Sequence, residues 1–203
     1  MKSGFYPILH FILILHYNKI MGNNIRNGGD GTTGIIGGQR LAKDHPLMEC
    51  LGTIDELNAF LGDAKSALSE KNSTEHTWRQ VLDEIQKDLG LISGIIAGNT
   101  APAPNNKNIS RVIAEIKSLL PPLNGFTTPG VNPVSAKLHI ARTVCRRAER
   151  RLVSLRCPQT ISAEDYSRLL AWFNQLSYLL FLMAEAGADI PGTSKTVLGN
   201  AVH

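Results

Sequence analysis

Five arginines stand in the fifteen residues from His139 to Val153, at positions 142, 146, 147, 150 and 151, with Glu149 as the single acid. A guanidinium is a planar fork of N–H donors that matches carboxylate or phosphate oxygens. Such a concentration has three readings: a stripe for nucleic acid, a solvated helix face, or a pocket for a polyphosphate. The 203-residue chain carries a net charge of only +4. The five arginines exceed that whole excess, so the basicity is local. Nucleic-acid binding prefers a broad basic face, and none is expected here. A small site for an anionic ligand fits better.

Helical spacing divides the arginines into two groups. Leu138, Ala141, Cys145, Ala148, Leu152 and Leu155 recur at alternating intervals of three and four, the seam of an amphipathic helix. Arg142, Arg146 and Glu149 fall on one face beside that seam, whereas Arg147, Arg150 and Arg151 point elsewhere and read as a solvated face. A charge near the core is expensive without a partner. Glu149 can hold one arginine within the helix, and Asp55 on an earlier helix is a plausible second partner. An ordinary network of ion pairs between helices would meet the same need, so spacing alone leaves both readings open.

The second unusual stretch is "GGDGTTGIIGG", Gly28 to Gly38. Gly29, Gly31 and Gly34 match GxGxxG literally, but no strand precedes them and no βαβ pattern surrounds them, so the dinucleotide-binding reading fails. No Gly-Lys-Ser/Thr follows, which excludes a P-loop. What remains is a loop dense in backbone N–H donors and threonine hydroxyls, between Arg26 and Lys43. Such a nest can wrap phosphates, although a flexible linker has the same composition.

Other chemistry is sparse. The six histidines show no metal-ligand spacing. Cys50, Cys145 and Cys157 form no CxxC pair, so neither a zinc site nor a disulfide framework can be read from them. No metal site built by the protein is expected, and a reducing, cytoplasmic compartment fits. Cys145 belongs to the apolar seam.

The elements that must position these groups are helical. Residues 1–21 are set apart: "GFYPILHFILILHY" is apolar but broken by Pro7, His10 and His16, too short to span a bilayer and without a good cleavage site. They read as an extension, either a mis-assigned start before Met21 or a targeting segment, and no membrane span is expected. Residues 22–187 read as one helical domain. Its first part, to about residue 48, is a structured loop. Thr53 and Glu56 make a capping box for a helix with Ile54, Leu57, Leu61, Ala64 and Leu68 inward. Further helices are predicted over about Thr74–Ala97, Ile109–Leu120, Val134–Leu155 and Ala163–Ala186, and residues 188–203 read as a mobile tail. The expected fold is all-α, a five-helix up-and-down bundle with an N-terminal Gly/Thr-rich nucleotide-binding loop.

Five segments, in order, resemble those of the PduO-type ATP:cob(I)alamin adenosyltransferases: "RNGGDGTTGIIGGQRLAKD", "ECLGTIDELNAFLG", "FTTPG", "ARTVCRRAER" and "FNQLSYLLF". The resemblance implies a bundle assembled as a homotrimer with ATP between subunits. It also implies transfer of the 5′-deoxyadenosyl group of ATP to the cobalt of a corrinoid such as cobalamin, with Mg²⁺ and release of triphosphate. By position it implies that Arg26, Asn27, Gly28, Gly31, Thr32 and Thr33 wrap the triphosphate and that Lys43 adds charge there. Arg146, Glu149 and Asn174 would contact ATP, and Arg142 would pair with Asp55 at a subunit interface. Phe126 would face the corrinoid, where the family uses an aromatic residue to exclude the lower axial ligand; it joins Arg146 and Glu149 as the catalytic set. A flavoprotein reductase or an adenosylcobalamin-dependent enzyme would be the natural protein partner.

The chain departs from the family pattern at Gly29, where an acid is usual, and at Val131, where the usual motif is Pro-Gly-Gly. It departs again at Gln175 and Tyr178, where Arg and Asp are common. These departures raise an alternative of another class: a binding protein of the same fold that stores or delivers ATP or corrinoid with little turnover.

Overall fold

The computed structural model of the chain describes residues 28–35, 38–70, 72–121, 126–158, 161–188 and 197–198. Its described elements are β1 (Thr32–Gly34), β2 (Arg40–Ala42), α1 (Pro46–Ala67), α2 (Ser73–Ile96), α3 (Lys107–Leu119), β3 (Phe126–Thr127), α4 (Pro133–Ser154), α5 (Ala163–Ala188) and β4 (Val197–Leu198). The five predicted helices are all present. The predicted capping box is not. α1 starts seven residues before Thr53, at Pro46, whose fixed φ suits a first helical position. His45 is the N-cap, its Nδ1 accepting from Leu47 N at 3.1 Å. Thr53 is a buried mid-helix residue whose hydroxyl donates to the carbonyl of Glu49 at 2.6 Å.

The arginine helix α4 lies between α1 and α5, with α2 against the outer side of α1 and α3 against α5. Every residue expected to face inward on α1 is buried, α2 buries Trp78, Leu82, Ile85, Leu89 and Ile92, and the α4 seam is buried from Leu138 to Leu152. Small residues at Ala141, Cys145 and Ala148 keep that seam shallow. The Cys145 thiol donates to the carbonyl of Phe173 on α5, with S···O 3.4 Å. Trp172 and Phe173 on α5 are both fully buried and meet edge to face, ring centroids 5.2 Å apart.

Asn132 fixes the register of α4 against α5. Its side chain caps α4 by accepting from Ser135 N at 2.8 Å, and donates to the carbonyl of Gly187 near the end of α5 at 2.7 Å. A Cβ at Gly187 would stand 3.2 Å from a methyl of Val134, so the helix ends meet closely there. The two helices run antiparallel, placing each α4 residue opposite a definite α5 residue. α5 is long and apolar enough to cross a membrane by length and composition, but most of it is buried in the bundle.

The Gly/Thr-rich stretch holds more order than a loop. β1 and β2 pair antiparallel, Thr32 opposite Ala42 and Gly34 opposite Arg40. Two further residues of backbone pairing join Phe126 to Leu198 and Thr127 to Val197. The predicted tail otherwise lies outside the described residues, as do residues 1–27.

Candidate active site

Two facing stripes define a groove between α4 and α5. On α4, His139, Arg142 and Arg146 follow at intervals of three and four. On α5, Glu185, Phe181, Ser177 with Tyr178, and Asn174 run the opposite way at the same spacing. The groove encloses about 420 Å³ and is lined by Arg142, Arg146, Asn174, Gln175, Ser177, Tyr178 and Phe181. It is polar on the α4 wall and aromatic on part of the α5 wall, where Tyr178 and Phe181 stack with centroids 6.5 Å apart and planes 19° apart.

Arg146 is exposed in the groove and makes no ion pair among the described residues. Arg142 is half-buried, and its Nε is shielded from solvent with no hydrogen-bond partner among the described residues. Burial, then the Arg146 charge, lowers the pKa of Arg142, while Glu185 acts in the opposite direction. Two guanidinia one turn apart, neither in an ion pair among the described residues, form a site for an anion.

The other arginines differ from the expected solvated face. Arg147 pairs with Glu56, Arg151 with Glu49 at 3.2 Å, and Lys137 with Asp63 at 2.5 Å. The three acids repeat every seven residues along α1, so this is a ladder tying α1 to α4. Arg150 alone of the outer group is exposed without an ion pair among the described residues. The ion-pair network and the anion site are therefore both present, on different faces of one helix.

The hairpin forms a second cluster. Asp30 accepts from the backbone N–H of Thr32 at 2.9 Å and from its hydroxyl at 2.8 Å, and Arg40 clasps both residues, its Nε donating to the Thr32 hydroxyl at 2.9 Å. The Thr32 bonds, backbone first, and then the Arg40 charge hold the Asp30 carboxyl below the usual carboxylate range. Gly31 has φ +79°, a left-handed conformation that favours glycine, and its carbonyl accepts from Lys43 N at 2.9 Å. The Lys43 ammonium lies 3.5 Å from where a Gly28 Cβ would be. Gly28, Gly31, Thr32, Thr33 and Lys43 are thus gathered in one folded unit, with the exposed Gly29 at its entrance. Arg26 and Asn27 lie outside the described residues.

Of the remaining predicted site residues, Asn174 meets Arg142 and Arg146 in the groove. Glu149 is half-buried one turn beyond Arg146 and does not line it. Asp55 is exposed on α1 and makes no ion pair with Arg142 within the chain. Phe126 is placed by its backbone in β3. None of the described hairpin residues lines the groove. Glu185, Phe181 and Asn132 were not singled out from the sequence. A lone acid inside the apolar run "LLFLMAEAGA" was the available signal for Glu185.

The profile of the cobalamin adenosyltransferase family matches residues 24–186. The chain belongs to that family. Its relatives include the corrinoid adenosyltransferase PduO of Citrobacter freundii, 39% identical over 170 residues, covering 79% of this chain and 48% of that protein. The cobalamin adenosyltransferase of Cupriavidus metallidurans is 37% identical over 172 residues, with 81% and 89% covered. Human corrinoid adenosyltransferase MMAB is 30% identical over 184 residues, with 85% and 71% covered. The chain spans about half the length of the PduO relatives from Citrobacter and Salmonella. Among solved structures, a variant PduO-type ATP:corrinoid adenosyltransferase from Lactobacillus reuteri, complexed with cobalamin and ATP, superposes with a TM-score of 0.74 at 28% identity, covering 88% of this chain and 97% of that one.

Proposed function

We propose that the chain transfers the 5′-deoxyadenosyl group of ATP to the cobalt of a reduced corrinoid, yielding the adenosylated corrinoid and triphosphate. The observation that carries this reading is the α4–α5 groove, where Arg142, Arg146 and Asn174 converge in a member of a family whose relatives are named for that reaction. The nucleophile comes with the substrate. Co(I) attacks C5′ of ATP, the C5′–O bond breaks, and its electron pair leaves on the triphosphate as the Co–C bond forms and cobalt becomes Co(III). The chain needs no serine, cysteine or histidine nucleophile. Its tasks are to orient C5′ and to stabilise the charge on the leaving group.

Arg146 suits the second task, being exposed, uncommitted and fixed on a rigid helix. Asn174 offers donor and acceptor from the opposite wall to orient the nucleotide. The hairpin Gly28–Lys43 adds backbone N–H groups, threonine hydroxyls and the Lys43 ammonium to the polyphosphate. Glu149, next to Arg146, would complete the ATP contacts. In this reading the hairpin and groove that share one ATP come from different subunits of a homotrimer, with Asp55 meeting Arg142 at that boundary. Phe126 would stand on the corrinoid side and exclude the lower ligand. No group of three His, Cys, Asp or Glu among the described residues could hold a metal. In this reading Mg²⁺ enters as the counter-ion of the nucleotide, coordinated chiefly by phosphate oxygens and water. The three free thiols accord with a reducing cytoplasm.

The test is anaerobic mixing with ATP, Mg²⁺ and chemically reduced cobalamin. Loss of the Co(I) absorption band at catalytic protein concentration is expected. A persistent band, with ATP binding shown by calorimetry, would leave the chain a binding protein of this fold.

A further inference from the structure

His45 joins the hairpin to α1, and the adenosyl-transfer chemistry above does not use it. Its backbone faces both ways. The N–H donates back to the carbonyl of Ala42 in β2 at 3.0 Å, and the carbonyl accepts from Met48 N at 2.8 Å and Glu49 N at 3.1 Å in the first turn of α1. The side chain closes the joint, its Nδ1 accepting from Leu47 N at 3.1 Å as the N-cap. β2 is in turn held to β1, with Ala42 opposite Thr32 and Lys43 N donating to the carbonyl of Gly31. One imidazole lone pair therefore supports the joint from which the Gly28–Lys43 unit extends.

Serine, threonine, aspartate and asparagine are the usual caps. Histidine differs because its charge changes between pH 5 and 8. The bond from Leu47 N requires a neutral ring with its proton on Nε2. In the imidazolium both ring nitrogens carry hydrogen, so an N–H would face an N–H and the cap is lost. The new positive charge would also stand at the positive end of the helix dipole. His45 is exposed, so protons reach it. The charged groups around it are Lys43 and Asp44 in the connection from β2, Glu49 in the first turn of α1 and, from α4, Arg151. Glu49 is already engaged by Arg151 at 3.2 Å. We propose that His45 is a positioning residue: its neutral ring holds the hairpin against the start of α1, and its protonation loosens that hold, so that polyphosphate affinity falls in acid. This rests on the reading of the hairpin as part of the polyphosphate site. A loosened hairpin must be ordered again when the ligand binds, so affinity falls by no more than the worth of one cap.

The test measures binding of ATP with Mg²⁺ by calorimetry at about pH 8 and about pH 5.5, on either side of the histidine range, for the wild type, His45→Asn and His45→Ala. Asparagine caps a helix without titrating. Titration of the nucleotide is common to the three proteins and cancels when they are compared. Between the two pH values the dissociation constant of the wild type should rise about fivefold more than that of His45→Asn. At the higher pH, His45→Asn should bind within about twofold of wild type and His45→Ala about fivefold more weakly. Equal pH responses in wild type and His45→Asn would overturn the proposal while the polyphosphate reading stood. So would wild-type binding that tightens in acid relative to His45→Asn, as an imidazolium attracting phosphate would give, or a His45→Ala protein as tight as wild type at the higher pH. A wild type that binds no ATP at either pH would overturn both. If His45→Ala does not fold, the comparison with His45→Asn decides, and failure of both to fold would make His45 structural and refute the positioning role.

Discussion

Arg146 and Arg147 are neighbours on one helix, and the structure gives them opposite work. Arg147 is tied to Glu56 on α1, in a pair with side chains 42% and 43% exposed. Arg146 faces the groove with no ion pair among the described residues. Truncating Arg146 removes nothing that holds the fold, so its stability cost should stay within about 0.5 kcal/mol. It does remove charge-assisted contacts to the leaving triphosphate. Two such bonds, less than additive, correspond to about 3 kcal/mol, or roughly 150-fold in kcat/KM. Arg147→Ala should do the reverse. An exposed ion pair contributes ~0.2–1 kcal/mol, so the melting temperature should fall by roughly 1–3 °C and kcat/KM should stay within about twofold of wild type. The assay is the initial rate of Co(I) loss at varied ATP, alongside thermal unfolding of the same preparations. An Arg146→Ala protein with more than a third of wild-type kcat/KM, or an Arg147→Ala protein more impaired than it, would refute the division of the helix into a binding face and a structural face.

Three further outcomes follow from the same geometry. Trp172 on α5, fully buried, should cost ~3–5 kcal/mol when truncated to alanine, read as a shift in the urea midpoint. Burial pushes the Cys50 thiol up to about 12 and raises Cys145 as well, so a thiol reagent at pH 8 should label only Cys157 until the chain is unfolded; labelling of Cys145 in the native protein would contradict the seam. His139 titrates in the fold below its ordinary 6.5, so the unfolded chain takes up a proton that the folded chain resists. Its contribution to stability is full above pH 6.5 and is lost as the pH falls from there to the folded-state pKa. Urea midpoints at pH 7.5 and 5.5 should show that loss, and a His139→Leu variant should show less of it.

The helices were legible because their apolar stripes keep a strict three-and-four rhythm, and the same rhythm placed Arg142 and Arg146 together. Asn174 came from the family resemblance, and the groove brings it to them. What a single helix's periodicity lacks is the identity of its neighbours. Arg147 and Arg151 looked solvated because their acids, Glu56 and Glu49, lie about 90 residues away in sequence or more. Thr53 and Glu56 have the spacing of a capping box, but Pro46 and His45 start the helix two turns earlier, and an internal threonine can satisfy its hydroxyl on the preceding turn instead. The hairpin was hidden by its size. Three-residue strands are too short to show alternation, and its order comes from Asp30, Thr32, Arg40 and a left-handed Gly31 rather than from apolar pattern. Glu185 was overlooked because an acid in an apolar helix gains meaning only when a facing residue such as His139 is known.

The most direct measurement is product stoichiometry. The full chain, ATP, Mg²⁺ and cob(I)alamin are combined without oxygen, and adenosylcobalamin and all phosphate products are separated and counted. The account predicts one triphosphate for each adenosylcobalamin, and no ATP cleavage when the corrinoid is withheld. ATP split to diphosphate and phosphate, or consumed without formation of adenosylcobalamin, would contradict it.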